Sequence, residues 1–290
     1  MKGQIIKALS GFYYVYADGV TYQCRARGNF RKRKITPLVG DEVEFQAENL
    51  TDGYVLDIEP RKNALVRPPI ANVDIAILVF SAVEPAFSTN LLDRFLVAIE
   101  KETIQPIICV SKLDLADNDV QKEVRQYQAI YQTIGYPFLL LDEPDSLSEL
   151  TKLVSKKTAV IAGQSGVGKS TFLNRLNPDL SLKTAEISGS LGRGKHTTRH
   201  VEFLPIGDGF VADTPGFSSI EWQEMEPEEV EIYFPEIEAA GSSCKFRGCL
   251  HDSEPKCAVK TAVEAGEIAG FRYQHYLQIL AEIKNRKPRY

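Results

Sequence analysis

A glycine-rich run, G-Q-S-G-V-G-K-S-T from Gly163 to Thr171, limits what this chain can fold into more than any other segment. It follows the apolar stretch Thr158–Ala162 and precedes the helical sequence F-L-N-R-L, the strand–loop–helix setting of a phosphate-binding loop. Glycines at this spacing let successive backbone N–H groups turn inward around a β-phosphate, and the helix N-terminus adds its dipole. Gly163, Gln164, Ser165, Gly166, Val167, Gly168, Lys169, Ser170 and Thr171 are therefore expected to line a nucleoside triphosphate site. Lys169 would neutralise the β- and γ-phosphates, and Ser170 would ligate Mg2+. A glycine turn that binds nothing is the bland alternative, and the complete, correctly flanked pattern weighs against it.

The surroundings of the loop predict an open α/β sheet. Val73–Phe80, Pro106–Val110 and Phe138–Leu141 are continuous apolar runs of the kind found in parallel strands covered on both faces. Between them Leu91, Leu92, Phe95, Leu96 and Ile99, then Val120, Val124, Tyr127, Tyr131 and Ile134, repeat at helical spacing. A further helix is expected to open on a Ser146–Glu149 capping box. The expected fold is a doubly wound sheet with ligands at the carboxyl ends of its strands.

Two segments downstream fit the same site. G-F-V-A-D-T-P-G ends a predicted strand on Asp213, a second Mg2+ anchor, and supplies Gly216, whose N–H could sense a γ-phosphate. Between the two motifs lies G-R-G-K-H-T-T-R, a basic, glycine-rich switch candidate in which Thr198 is placed to close over Mg2+.

Upstream, S-K-L-D (Ser111, Lys112, Leu113, Asp114) follows the predicted strand Pro106–Val110. Asp114 could accept from N1–H and the exocyclic amine of guanine, donors that adenine lacks, while a lysine stem covers the base. Such tetrapeptides are common in surface loops, but the end of a strand beside a phosphate-loop strand raises the weight of this one.

The first 65 residues read differently. Gln4–Leu9, Phe12–Tyr16, Val20–Ala26, Glu42–Gln46 and Tyr54–Ile58 are short aromatic or β-branched strands separated by Gly and Asp turns, as in an oligonucleotide-binding (OB) β-barrel. Between the third and fourth runs R-A-R-G-N-F-R-K-R-K, Arg25–Lys34, holds six basic residues, no acid, and Phe30 as a stackable ring. A solvated loop is the plain reading; on such a barrel, RNA is the sharper one.

Near the other end, C-K-F-R-G-C-L-H-D-S-E-P-K-C brings Cys244, Cys249, His251 and Cys257 within fourteen residues. Three thiolates and an imidazole complete a tetrahedral set for Zn2+ with no place left for water, which marks one structural site. Lys245, Arg247 and Lys256 lie among the ligands, and helices are expected over 258–268 and 271–286. Cys24 and Cys109 fall in predicted strands and read as core.

Charge follows the same division. Residues 1–67 carry 11 Lys and Arg against 8 Asp and Glu, and residues 241–290 carry 9 against 5, whereas the centre carries 14 against 26. An acidic core between two basic ends suits a catalytic domain flanked by polyanion-binding modules. The domains expected are a barrel over 1–67, beginning a new unit at Pro68–Pro69, an α/β domain over 68–222, and a zinc-binding helical domain over 223–290. The longest nearly apolar run, Ile75–Val83, is nine residues, too short to cross a bilayer. The start M-K-G-Q-I-I-K lacks a leader pattern, so a cytoplasmic protein is expected, and no amphipathic seam demands more than a monomer.

The base motif precedes the phosphate loop by about fifty residues, the reverse of the usual GTPase order. With the barrel, G-Q-S-G-V-G-K-S, L-G-R-G-K-H-T-T-R, D-T-P-G-F and the cysteine cluster, this order resembles the circularly permuted GTPases, specifically the RsgA/YjeQ/YloQ family of small-ribosomal-subunit-dependent GTPases. Ser111 stands where that family has Asn or Thr, and Leu141–Pro144 reads L-D-E-P where such GTPases carry a small serine-containing element, so no residue is assigned there.

The resemblance implies a GTPase, with Mg2+ and GTP, that binds the 30S subunit and its 16S rRNA and serves late assembly. Phe217 stands where many GTPases orient water with glutamine, so slow intrinsic hydrolysis is expected. His196 either positions that water, as the resemblance suggests, or merely touches RNA or solvent. Because the chain runs from the D-x-x-G segment straight into the last domain, nucleotide state is expected to reposition that domain. An ATP-dependent phosphoryl transferase and a non-hydrolysing RNA-binding switch are the competing classes; Asp114 argues against the first and Phe217 keeps the second open.

Overall fold

The computed structural model describes residues 1–28, 30, 35–66, 68–176, 201–213, 222 and 225–286. Ser10–Gly11 and Asp18–Gly19 take positive φ at both positions (52° and 83°, 50° and 81°), the tight-turn geometry whose twist matches antiparallel strands. They join β1 (Lys2–Leu9), β2 (Phe12–Ala17) and β3 (Val20–Ala26), which with β4 (Glu42–Ala47) and β5 (Gly53–Ile58) close a barrel in the order β1-β2-β3-β5-β4. Alternate residues point inward: Ile5, Val15, Cys24, Phe45 and Val55 are fully buried. Phe30 joins them at 3 % exposure, so the ring expected to stack on RNA is instead a core residue. Its neighbours 31–34 lie outside the described residues.

The Pro68–Pro69 segment is the turn side of a hairpin, β6 (Ala64–Val66) with β7 (Pro69–Ala71), that the sequence did not signal. Its far strand packs back on the barrel: Ala71 N donates to Val39 O, and Asn72 Nδ2 to Gly40 O. A Cβ on Gly40 would lie 1.9 Å from Ala71 O, so only glycine permits this approach.

Beyond it lie β8 (Ile75–Ser81), α1 (Thr89–Lys101), β9 (Gln105–Ser111), α2 (Asn118–Ile134), β10 (Phe138–Leu140), α3 (Ser146–Val154), β11 (Thr158–Ala162), α4 (Lys169–Leu176), β12 (Phe203–Ile206) and β13 (Gly209–Asp213). The six strands form one sheet in the order β10-β9-β8-β11-β13-β12, parallel except for β12 against β13. Ala76, Leu78 and Phe80 bury into one layer and Ile75, Ile77 and Val79 into the other, which is why β8 shows no alternation in sequence.

The capping box expected at Ser146 does not form. Asp145 occupies the N-cap, and Ser146 is buried with its hydroxyl donating toward Glu143 O (2.8 Å) and Leu141 O (3.2 Å). A hydroxyl already bound to carbonyls of the preceding turn has no role left at a helix start.

Both sheet edges are partly covered. On β10 the amides of Gln128 and Gln132 donate to Phe138 O (3.1 and 3.2 Å). At β12, Lys7 of the barrel bridges Glu202 through backbone and side chain, with Nζ 2.9 Å from Oε2.

A 3-10 helix (Pro227–Tyr233), α5 (Pro235–Gly241), α6 (Ala258–Glu264) and α7 (Gly270–Lys284) follow. The helix expected over 258–268 ends early, because Gly266 (φ 77°) turns the chain and Glu267 N returns to Ala262 O. α7 docks on α1 through a buried network: Arg272 pairs with Asp93 (2.6 Å) and with both oxygens of Glu236 (2.6 and 3.0 Å), while His275 and Tyr131 also meet Asp93 (2.6 Å each). The guanidinium lies between the rings of Phe234 and Tyr131. Burial works against its charge, but Asp93 and Glu236 outweigh that and hold Arg272 well above its usual range.

Candidate nucleotide site and metal centre

The carboxyl ends of β8, β9, β11 and β13 converge on one edge of the sheet, where an open α/β fold binds its ligands. Gly163 leaves β11 at φ 149°, and a Cβ there would lie 2.1 Å from Val79 O, so the loop starts where only glycine fits against β8. Gly166 and Gly168 also take positive φ (87° and 90°) and carry the chain around to α4. Val167 plugs the loop into the core, while Gln164, Ser165 and Gly166 face solvent. Lys169 Nζ lies across the mouth, donating to Gly163 O (2.8 Å) and Gln164 O (2.7 Å), which holds a cation where phosphate oxygens would sit. Ser170 and Thr171 occupy the first turn of α4, which begins with Phe172 N donating to Gly168 O.

The S-K-L-D segment reaches this loop. Ser111 Oγ lies 2.7 Å from Val167 O and 3.1 Å from Phe80 O, so it joins the ends of β8 and β9 to the phosphate loop. Lys112 takes a left-handed conformation (φ 58°) and stretches over the loop, its ammonium donating to Gly166 O and Glu84 O (2.8 Å each). Leu113 is buried and Asp114 exposed in the 3-10 turn Leu113–Leu115.

Two contributors were missed from sequence. Asp142, in the segment left unassigned, accepts from Leu113 N at 2.8 Å and so fixes the turn that carries Asp114. An acid two residues past the end of β10, the strand beside β9, was the available signal. Glu84 contributes only its carbonyl, which no side-chain pattern could have marked.

Asp213 ends β13 in register with Ile161 of β11, which places its backbone beside the strand that feeds the loop. His196 and Thr198, in 177–200, and Gly216 and Phe217, in 214–221, lie outside the described residues.

A second cluster forms in the last domain. Ligand atoms of Cys244, Cys249, His251 and Cys257 all lie within 4.8 Å of one another, the one such group that could hold a metal among the described residues. His251 Nδ1 approaches Cys257 Sγ (3.3 Å) and Cys244 Sγ (3.6 Å). Its Nε2 meets Glu231 Oε2 at 2.7 Å, the outer-shell carboxylate that orients a metal-binding imidazole, and one the sequence reading did not identify. Tyr273 and Tyr276 hydroxyls donate to His251 O (2.5 Å) and Leu250 O (2.8 Å), and Glu254 accepts from Leu250 N and Asp252 N (3.0 Å each). Burial pushes the Cys249 thiol up to about 12, so a bound cation would have to displace its proton. The donor set, its spacing and its ordered surroundings fit a closed tetrahedral metal site.

Comparison with known proteins agrees with this arrangement. The RsgA GTPase family model matches residues 58–223, and the RsgA N-terminal domain model matches residues 2–55. The chain is 71 % identical over 291 residues to a protein of Listeria innocua named small ribosomal subunit biogenesis GTPase RsgA 2, covering 100 % of both chains. It is 59 % identical to the RsgA protein of Enterococcus faecalis, covering 100 % of this chain and 98 % of that one. Among solved structures it is similar to YloQ, described as a circularly permuted GTPase, with TM-score 0.85, 52 % identity, and coverage of 100 % of this chain and 96 % of the other. It is likewise similar to YjeQ from Thermotoga maritima, with TM-score 0.85, 35 % identity and 99 % coverage of both. With its barrel, permuted α/β domain and cysteine–histidine cluster, the chain belongs to the RsgA GTPase family.

Proposed function

We propose that this protein hydrolyses GTP to GDP and phosphate in complex with the 30S ribosomal subunit, whose late assembly it assists. The observation that carries this reading is the lacing of the two nucleotide motifs through Ser111 and Lys112 onto Val167 and Gly166. It supports one site in which the loop Gly163–Thr171 holds the phosphates and Asp114 selects guanine. Ser170, Asp213 and Thr198 would hold Mg2+, which supplies charge compensation between the β- and γ-phosphates. Gly216 would sense the γ-phosphate and His196 would position water. The weak intrinsic site expected from Phe217 makes the subunit the natural activator.

The remaining assignments follow from this reading. Zn2+ is the ion proposed for Cys244, Cys249, His251 and Cys257, since it suits three thiolates and an imidazole in a closed tetrahedron. The barrel (1–67) and the metal domain (223–290) flank the GTPase domain (68–222) and contact 16S rRNA. At the metal loop, Lys245, Phe246 and Arg247 all face solvent. The protein acts as a monomer in the cytoplasm; no described helix is long and apolar enough to cross a membrane. Nucleotide state would reach the last domain along the chain from Gly216, acting on a unit anchored by Arg272 and Asp93. Equal hydrogen-exchange protection of residues 217–257 with a GTP analogue and with GDP would remove that link.

The deciding experiment measures hydrolysis by the protein alone and with isolated small subunits, using ATP and large subunits as controls. Stimulation confined to GTP and small subunits supports the reading. Absent stimulation with GTP still bound overturns it in favour of a nucleotide-binding switch with another activator.

A further inference from the structure

Two joints hold α7 against α1, and they differ in what they carry. The inner one is the network around Arg272 and Asp93, whose side chains are fully enclosed. The outer one starts from the next residue of α1. Arg94 meets Glu282 of α7 in two parallel hydrogen bonds, Nη1 to Oε1 at 2.6 Å and Nη2 to Oε2 at 2.9 Å. Against this pair sits Trp222, the single tryptophan of the chain. Its indole N–H donates to Glu282 Oε2 (2.7 Å), and its ring lies under the Arg94 guanidinium, 5.1 Å from the centroid. Trp222 is only 8 % exposed and belongs to the same buried cluster as Val97 of α1 and Ile283 of α7. Arg286, two residues past α7, fixes the backbone there: Nη1 donates to the carbonyls of Trp222 (2.8 Å) and Met225 (3.2 Å).

The place of Trp222 in the chain gives this clasp its meaning. It follows Asp213, the proposed Mg2+ anchor, by nine residues, and Gly216, the proposed γ-phosphate sensor, by six. At the near end, β13 is locked into the sheet beside β11. At the far end, Trp222 is tied to α1 and α7 together. A backbone group can be aimed at a phosphate only if both ends of its segment are held, because a loose end spreads the segment over many geometries. Packing alone would be met by any large apolar side chain, whereas a bidentate ion pair that also accepts the indole N–H fixes the direction of the ring. The Arg94 guanidinium holds the Glu282 carboxyl below its usual range against the pull of burial, and the indole N–H adds to that, so the acceptor stays charged. Elsewhere on α7, Tyr273 and Tyr276 donate to carbonyls of the metal loop, and Lys284 pairs with Asp252 (3.1 Å). One helix thus touches both the metal loop and the clasp.

We infer that Arg94 and Glu282 are positioning residues for GTP hydrolysis: by holding Trp222 they fix the end of the D-x-x-G segment from which Gly216 meets the γ-phosphate. The inference rests on the reading of this chain as a subunit-stimulated GTPase, and neither residue touches the nucleotide.

The test compares full-length variants in GTP hydrolysis with saturating small subunits, while Trp222 emission reports on the clasp. Glu282→Ala should red-shift the emission and lower kcat on the order of tenfold, with KM for GTP within about twofold of wild type, because the phosphate loop and base motif hold the nucleotide without it. Glu282→Gln keeps an acceptor for the indole N–H and should recover most of kcat. Trp222→Phe keeps the buried ring and loses only the N–H; it asks the same question should Glu282→Ala fail to fold, and should lower kcat about fivefold. Gln278→Ala is the control for docking, since it removes the hydrogen bond from Asn90 (2.6 Å) in the same α1–α7 seam without touching Trp222. It should leave kcat and KM at the wild-type values. Unchanged kcat in Glu282→Ala with shifted emission overturns the inference. So does an equal loss in Gln278→Ala, which would reduce the clasp to a part of helix docking. A wild-type chain that small subunits fail to stimulate overturns the ribosomal reading instead, and the same comparison of variants is then read on the intrinsic rate.

Discussion

Ser111 Oγ lies 2.7 Å from the carbonyl oxygen of Val167, 56 residues later in the chain. The contact spans the permutation: the base motif and the phosphate loop, far apart and inverted in sequence, share one hydrogen bond. Serine thus provides a direct link between the base motif and the loop. Ser111→Ala should lower GTP and GDP affinity about two- to tenfold, the worth of one hydrogen bond of roughly 0.5–1.5 kcal/mol. Titration with a fluorescent guanine nucleotide reads this directly, and Ser111→Thr, which keeps the hydroxyl, should bind near the wild-type level.

Asp142 acts on the base motif from the neighbouring strand. Asp142→Ala leaves Leu113 N without its carboxylate and should loosen the turn that carries Asp114. Guanine selectivity is expected to fall by about tenfold, since a hydrogen bond to a charged group is worth about 1.5–3 kcal/mol. Competition of GTP against ATP provides the measurement, and Asp142→Asn, which retains an acceptor, should lose less.

Glu231 holds the far nitrogen of His251, so it governs which nitrogen faces the cysteines. Glu231→Gln should weaken metal retention by about 10- to 100-fold against a competing chelator without altering GTP affinity. Unchanged retention would mean that Tyr273 and the backbone orient the imidazole without the carboxylate.

Glu100 yields a pH signature. Burial raises its carboxyl from the ordinary 4.5 to about 7, although the Tyr136 hydroxyl pulls the other way. The folded state therefore holds the proton more tightly than the unfolded state. Stability from this group is full below about pH 4.5 and fades as pH rises through about 7, by no more than about 3 kcal/mol. Glu100→Gln should flatten that dependence in chemical denaturation between pH 5 and 8, about the window set by the shift, and should be more stable than wild type at its upper end.

What could be read in advance followed the physics that is local in sequence. The strands β8, β9 and β11 were visible because burial on both faces demands unbroken apolar runs, and α1 and α2 because their buried stripes repeat at helical spacing. The loop and metal ligands were visible because phosphate and metal chemistry fix both residue type and spacing. Several of the failures involve partners distant in the chain, whereas the one at Ser146 is local. Phe30 carries the composition of an RNA-binding loop, but its direction depends on where the barrel interior lies. Ser146 begins a perfect capping pattern, yet two carbonyls of the preceding turn claim its hydroxyl. Asp142, Glu231 and the Arg272–Asp93 pair act across separations that no periodicity records.

The partial cover of both sheet edges bears on how the protein meets other chains. A bare edge strand displays N–H and C=O groups in a row and invites pairing with another chain. Here two glutamine amides occupy the outward carbonyl of Phe138, and a lysine from the barrel stands at the start of β12. The first half of the sheet is synthesised before its last strands, so β8 must wait with one side unpaired until β11 arrives. After folding, each outer border is partly occupied by these groups. Strand-to-strand self-association through these borders is therefore expected to be weaker than a bare sheet edge would allow.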